Sequence, residues 1–205
     1  MSLFEDQYKT INEVSEGTFR DKGSKFVAYS YPFTDENKLK DILSDINSMH
    51  PKARHHCYAY RLGMDRSVFR INDDNEPAGS AGRPILNTLL SNDLTNILVI
   101  VVRYFGGTLL GITGLINAYK TATQESINNA EIIKKYQKDI YAIDFDYLQM
   151  NNVMRIIKDE DLTILSQNFN NNCRMEVAIR SSLVNRITTN LSALTELKLK
   201  YLKTI

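Results

Sequence analysis

Residues 72–84 and 99–115 hold the side chains most able to do chemistry. Asp73, Asp74 and Glu76 put three carboxylates in four residues, just before Pro77. Clustered carboxylates can bind a hard divalent cation or raise one another's pKa for acid–base work. A turn in which Asp and Asn cap their own backbone is the plainer reading. The register from Asp73 lacks the Gly and Glu of a calcium-binding helix–loop–helix. His55, His56 and Cys57 are consecutive. On a strand His55 and Cys57 share a face and His56 takes the other. Cys57 and His56 therefore form no local dyad, and two ligands at this spacing are weak evidence for zinc. Cys57 reads as a small buried hydrophobe, and His55 as bonded to a neighbouring carboxylate or carbonyl. His50, beside Pro51 at a helix end, reads as a solvated loop residue.

The second segment runs Arg103-Tyr104-Phe105-Gly106-Gly107 and on through Gly111 and Gly114. It follows an apolar strand and precedes a helix. Glycines there can leave backbone N–H groups facing outward at a helix start, which makes an anion site. Arg103 could add a charge-assisted contact to phosphate, with Tyr104 or Phe105 offering a stacking face and Arg83 flanking. The spacing fits neither a dinucleotide fingerprint nor a phosphate-binding P-loop. Close strand–helix packing is the competing use of the same glycines. No metal or cofactor is expected.

These residues need elements to position them. Residues 10–14 and 25–31 read as two strands joined through Glu16-Gly17. Asp35 opens a helix with Leu39, Ile42, Leu43 and Ile46 on one face. Residues 56–62 and 67–71 read as short strands around Gly63, and 84–90 as a helix with Pro84 in its first turn. Residues 97–102 are apolar on both faces, as in a central strand, and a helix follows from about Ile112. All nine Gly and all four Pro occur by Gly114. Beyond it, the pattern reads strand 139–146, helix 150–158, strands 162–169 and 173–179 around Asn170-Asn171-Asn172, helix 183–194 and strand 196–202. That β-α-β-β-α-β order is the split βαβ, ferredoxin-like arrangement.

The 205 residues are 43% hydrophobic, enough for two modest cores. The break in composition puts a boundary near 131–137, giving domains 1–133 and 134–205. Net charge is +1, so global charge points to no partner. Two cysteines far apart suggest no disulfide framework. No leader peptide and no membrane-length apolar run is visible, which gives the expectation of a cytoplasmic protein without a membrane partner.

The chain resembles the YigZ/IMPACT family, an uncharacterised family in its bacterial two-domain form. The resemblance runs through Gly23-Ser-Lys-Phe26, Ala53 with His55 and Cys57, Asp74 to Gly82 with Pro84, and Val102-Arg-Tyr-Phe-Gly-Gly107 with Leu110, Gly111, Gly114 and Leu115. It implies an α+β protein: a first domain like the second domain of ribosomal protein S5, then a ferredoxin-like domain. Both are similar to the neighbouring fourth and fifth domains of elongation factor G. The eukaryotic relatives are linked to translation regulation. Against the family pattern, Asn75 stands where Gly is usual, His56 where Asn is frequent, Leu109 where Lys is common and Thr113 where a second Gly is common. The missing glycines suggest a less demanding backbone there, and the missing Lys weakens the phosphate site.

Three functional readings follow. The first is a non-catalytic protein associated with RNA or the ribosome, held through Arg83, Arg103, Tyr104, Phe105, Gly106, Gly107 and Gly111. The second is an enzyme acting on a small phosphorylated or carboxylated ligand with His55, Cys57, Asp73, Asp74 and Glu76; it requires His55, Glu76 and Gly106 to meet. The third is a protein-interaction module.

Overall fold

The computed structural model describes residues 6–64, 67–169 and 173–205. The chain is a mixed α/β protein of two compact units, one spanning Tyr8–Lys135 and one comprising residues 136–205 with Asp6 and Gln7.

The first unit is built on an antiparallel sheet ordered β2-β3-β6-β4-β5. Its strands are β2 (Ser15–Asp21), β3 (Ser24–Pro32), β4 (His55–Leu62), β5 (Val68–Asn72) and β6 (Ile97–Tyr104). β6 lies in the middle, which is why its residues from Ile97 to Arg103 are buried whichever way they point. Helix α1 (Leu39–Met49) packs on one face, where Ile46 and Leu39 meet Tyr29, Tyr58, Leu98, Ile100 and Val102. Helices α2 (Gly82–Ser91) and α3 (Gly111–Asn128) pack on the other, where Ile85, Leu89, Ala118 and Tyr119 meet Phe26, Cys57, Val99 and Val101. β1 (Gln7–Ile11) and β7 (Ile132–Tyr136) form a separate two-stranded sheet.

The opening hairpin differs from the sequence reading. The partner of β3 is β2, not residues 10–14, and the turn is Lys22-Gly23, both at positive φ (42° and 80°). A two-residue turn with both φ values positive matches strand twist. Glu16-Gly17 instead lies inside β2. Gly17 is needed there because a Cβ would come within 2.2 Å of the Ser126 backbone nitrogen on α3. Strand β7 has no counterpart in the sequence reading either. Its exposed Ile132-Ile-Lys-Lys-Tyr136 lacks the alternation that marks a half-buried strand.

The second unit runs β8 (Lys138–Phe145), α4 (Met150–Asp159), β9 (Thr163–Asn168), β10 (Cys173–Arg180), α5 (Val184–Ser192) and β11 (Lys198–Thr204). Its sheet is ordered β11-β8-β10-β9. Val153 and Ile157 of α4 and Ile187 and Leu191 of α5 pack with Ile143, Phe145, Met175, Val177 and Ile179. The last strand begins two residues later than its alternation implied, Glu196 taking a positive φ of 60°, and a bulge between Tyr201 and Lys203 shifts its register. The expected turn at 170–172 lies outside the described residues. Asp6 is buried beside this unit's Arg180 and Ser182. Burial alone would raise its pKa, but the hydrogen bonds from Arg180 and Ser182 outweigh that and lower it.

Candidate functional site

Strand register explains how one face of the first sheet gathers polar side chains. Arg103 of β6 pairs with Phe26 of β3 on one side and His55 of β4 on the other. Cys57 follows two residues along β4, on the same face. The turn 73–81 then swings Glu76 over this face, and α3 lowers Tyr119 onto it. The Arg103 guanidinium donates to Glu76 Oε1 at 2.7 Å, and the Tyr119 hydroxyl donates to the same oxygen at 2.8 Å. Both partners of the ion pair are buried, at 5% and 8% exposure. Cys57 Sγ lies 3.3 Å from the Tyr119 hydroxyl and 3.0 Å from the Asp73 carbonyl oxygen. His55 Nδ1 donates to the Asp74 carbonyl oxygen at 2.8 Å, leaving Nε2 4.0 Å from Glu76 Oε1.

Burial and neighbours set the chemistry. Burial pushes the Cys57 thiol well up, so it stays protonated and is a poor nucleophile at neutral pH. Burial, then the adjacent Cys57, pushes the Tyr119 phenol up as well. His56, on the opposite face of β4, is held below its ordinary value by burial, partly offset by Asp74. The Asp74 carboxylate accepts from the His56 backbone N–H at 2.6 Å. The Asp73 carboxylate accepts from the N–H groups of Gly79, Ala81 and Gly82 at the start of α2. These acids therefore act on backbone donors, and no metal-ligating cluster of His, Cys, Asp and Glu forms among the described residues.

The glycine turn behaves differently at its two ends. At the first end, Gly106 packs so tightly on Gly23 that a Cβ would meet the Gly23 carbonyl carbon at 1.9 Å. The Gly106 N–H donates to Ser24 Oγ at 3.2 Å. That amide is already engaged inside the protein. Further on, Gly107 and Gly111 take φ of 88° and 70°, with open space where a Cβ would point. Around this open end Phe105 is 43% exposed, Leu109 82% and Ile112 60%. Tyr104 points to the opposite face of the sheet, where its hydroxyl meets His50 Nδ1 at 2.8 Å. His50 also meets the Tyr29 hydroxyl at 2.8 Å. This corrects the reading of His50 as a solvated loop residue. Burial, then Lys25, holds its pKa below the ordinary value.

A depression of about 390 Å³ opens between α2 and α3, lined by Gly79, Arg83, Pro84, Thr88, Ile116 and Lys120 among others. Arg83 and Lys120 carry no ion pair among the described residues. Two residues of consequence escaped the sequence reading. Tyr119 was legible only as one apolar position of α3. Lys120 carried no signal at all, because its meaning depends on Arg83, 37 residues away in sequence.

The sequence-based candidates thus separate. His55, Cys57, Glu76 and Arg103 converge on one buried cluster. Arg83 stands apart on the α2/α3 depression, while Phe105, Gly107 and Gly111 stay on the exposed turn. Asn75, in the Gly position of the family pattern, keeps φ at 65°, so the backbone there is as demanding as Gly would imply. Asn is among the few side chains that tolerate this region.

Comparison with known proteins adds four findings. Residues 22–127 match the Impact N-terminal domain. An IMPACT family member from Haemophilus influenzae is 32% identical over 83% of this chain and 84% of its own. IMPACT family member YvyE from Bacillus subtilis is 27% identical over 92% of this chain and 87% of its own. Among solved structures, the crystal structure of a hypothetical protein superposes with a TM-score of 0.74, at 25% identity, over 98% of this chain and 99% of that one.

Proposed function

The chain belongs to the IMPACT family, and on that footing we propose that it is a non-catalytic, cytoplasmic RNA- or ribosome-associated protein with a role in translation. One observation carries the reading. Arg83 and Lys120 come from different helices to line one depression, with no counter-ion among the described residues. Two cations on a rigid rim suit the phosphates of a nucleic-acid backbone. Phe105, exposed on the neighbouring turn, offers an aromatic face for a base. Arg103 plays a structural part in this reading, because Glu76 already holds its guanidinium.

Part of the proposal is the domain reading itself, a first unit like the second domain of ribosomal protein S5 and a second of ferredoxin type. The order β11-β8-β10-β9 in the second unit supports the latter. The likeness of both to adjacent domains of elongation factor G makes the ribosome the natural setting. The buried state of Cys57, Glu76 and Tyr119 weighs against the enzyme reading, since a catalytic group needs access to substrate.

The test is binding of a labelled RNA hairpin and of purified bacterial ribosomes across a salt series. Binding should weaken as salt rises. Arg83→Ala and Lys120→Ala should each reduce the slope of log affinity against log salt by about 1. Absence of binding to both probes at low salt, or binding indifferent to both substitutions, would sink the proposal.

A further inference from the structure

β5 ends the first unit's sheet: among the described residues it pairs with β4 alone, from Leu62↔Val68 to Tyr58↔Asn72. An edge strand presents a row of backbone donors and acceptors to any chain that can lie beside it. Two other edges carry more charge than β5, whereas β9 (Thr163–Asn168), at the edge of the second unit's sheet, carries none. β2 carries Glu16, Arg20 and Asp21, and β11 carries Lys198, Lys200 and Lys203. β5 reads Val68-Phe-Arg-Ile-Asn72, with Val68 43% and Phe69 50% exposed and Arg70 its one charge.

A groove of about 710 Å³ lies beside that edge, between α1 and the β4/β5 end of the sheet. Leu39 and Leu43 of α1 and Tyr58 of β4 give it apolar walls, and Lys40, Arg70 and Glu36 also line it. Glu36 is engaged. Burial first, then a hydrogen bond with Glu36, raises the pKa of the Tyr60 phenol. Lys40 and Arg70 have no ion pair among the described residues. Val68 and Arg70 point to the α1 face, because they pair with Leu62 and Tyr60, whose side chains pack there. A chain laid along β5 would therefore place alternate side chains over the groove and the intervening ones away from it.

We propose that the α1/β5 groove takes an extended segment of a partner protein, added to β5 as a further strand, with apolar side chains against Leu39, Leu43 and Tyr58 and carboxylates facing Arg70 and Lys40. Strand addition supplies affinity through the main chain, and the groove supplies specificity. The two free cations select an acidic segment over a basic one. The groove lies on the α1 face of the sheet and the Arg83/Lys120 depression on the α2/α3 face, so a protein segment and an RNA could bind together. The inference is independent of the RNA reading, and each can fail alone.

The experiment selects peptides from a displayed random library on the full chain. Enriched peptides should alternate apolar residues with Asp or Glu. Arg70→Glu should weaken them by about tenfold or more, and exchanging their carboxylates for lysines should restore binding to that variant. Amide hydrogen exchange across Val68–Asn72 should slow when a selected peptide is added. Lys40→Glu gives a second, exposed variant, and thermal unfolding of both variants verifies that they fold. Failure to enrich that pattern would overturn the proposal. So would enriched peptides that ignore Arg70→Glu and leave β5 exchange unchanged, or slowing of β5 exchange by an RNA hairpin instead.

Discussion

Arg103 and Arg83 sit on opposite sides of one difference within the first unit. Both belong to the segments richest in glycine. Arg103 is buried on the sheet, its charge matched by Glu76 at 2.7 Å and its neighbourhood closed by Tyr119 and Phe26. Arg83 stands with Lys120 on the α2/α3 depression, with no carboxylate paired to it among the described residues. Type and local sequence context are alike, but one arginine is paired inside the fold and the other lines an open depression, where we propose that it meets a ligand. A charge close to glycines is thus no sign of a binding site until its partner is known.

The largest effect expected from this contrast follows loss of Glu76. Glu76→Ala leaves Arg103 buried and unpaired, which costs about 3–5 kcal/mol, read as a lower midpoint in urea unfolding. Joint replacement of Glu76 and Arg103 by apolar residues of similar size should recover much of that loss. A Glu76→Ala protein as stable as the parent would erase the contrast. Next comes Gly106→Ala. The new Cβ strikes the Gly23 backbone, and overpacking of this kind costs about 1–3 kcal/mol, measurable by thermal unfolding.

The opposite, α1 face of the sheet should be acid-sensitive. His50 and His56 have lowered pKa values in the folded protein, each first through burial. The unfolded chain therefore takes up protons near pH 6.5 that the folded chain resists, and stability falls as pH drops below about 6.5 towards the lowered values. His50→Gln should flatten that part of the stability–pH curve, read by unfolding at a series of pH values. Asn75→Ala is smaller, about 1 kcal/mol, because φ of 65° disfavours a side chain that cannot bond locally; Asn75→Gly should be tolerated. Smallest of all are Arg83→Ala and Lys120→Ala, which should stay within about 0.5 kcal/mol of the parent in stability while RNA affinity falls.

The fold was largely legible where pattern is local. Residues 97–102 announced a central strand because both of its faces are covered. Leu39, Ile42, Leu43 and Ile46 announced α1 because one stripe meets the sheet. Asp73 announced a backbone-capping turn. The opening hairpin was misread because Gly17 resembles a turn glycine, whereas it is required by the backbone of Ser126 in α3, more than 100 residues later. The polar cluster was half legible. His55 and Cys57 share a face by strand geometry alone, but that Glu76 and Tyr119 complete it depends on how a turn and a helix fold back over β4 and β6.

The sequence by itself determined the family, the two-part organisation and most of the element types, because periodicity, glycine placement and motif order are properties of neighbouring residues. Only the tertiary structure decided which charges are matched. It closed Arg103 with Glu76 and set Arg83 beside Lys120, because the energy of a charge depends on its burial and on partners that the chain brings near from far along its length.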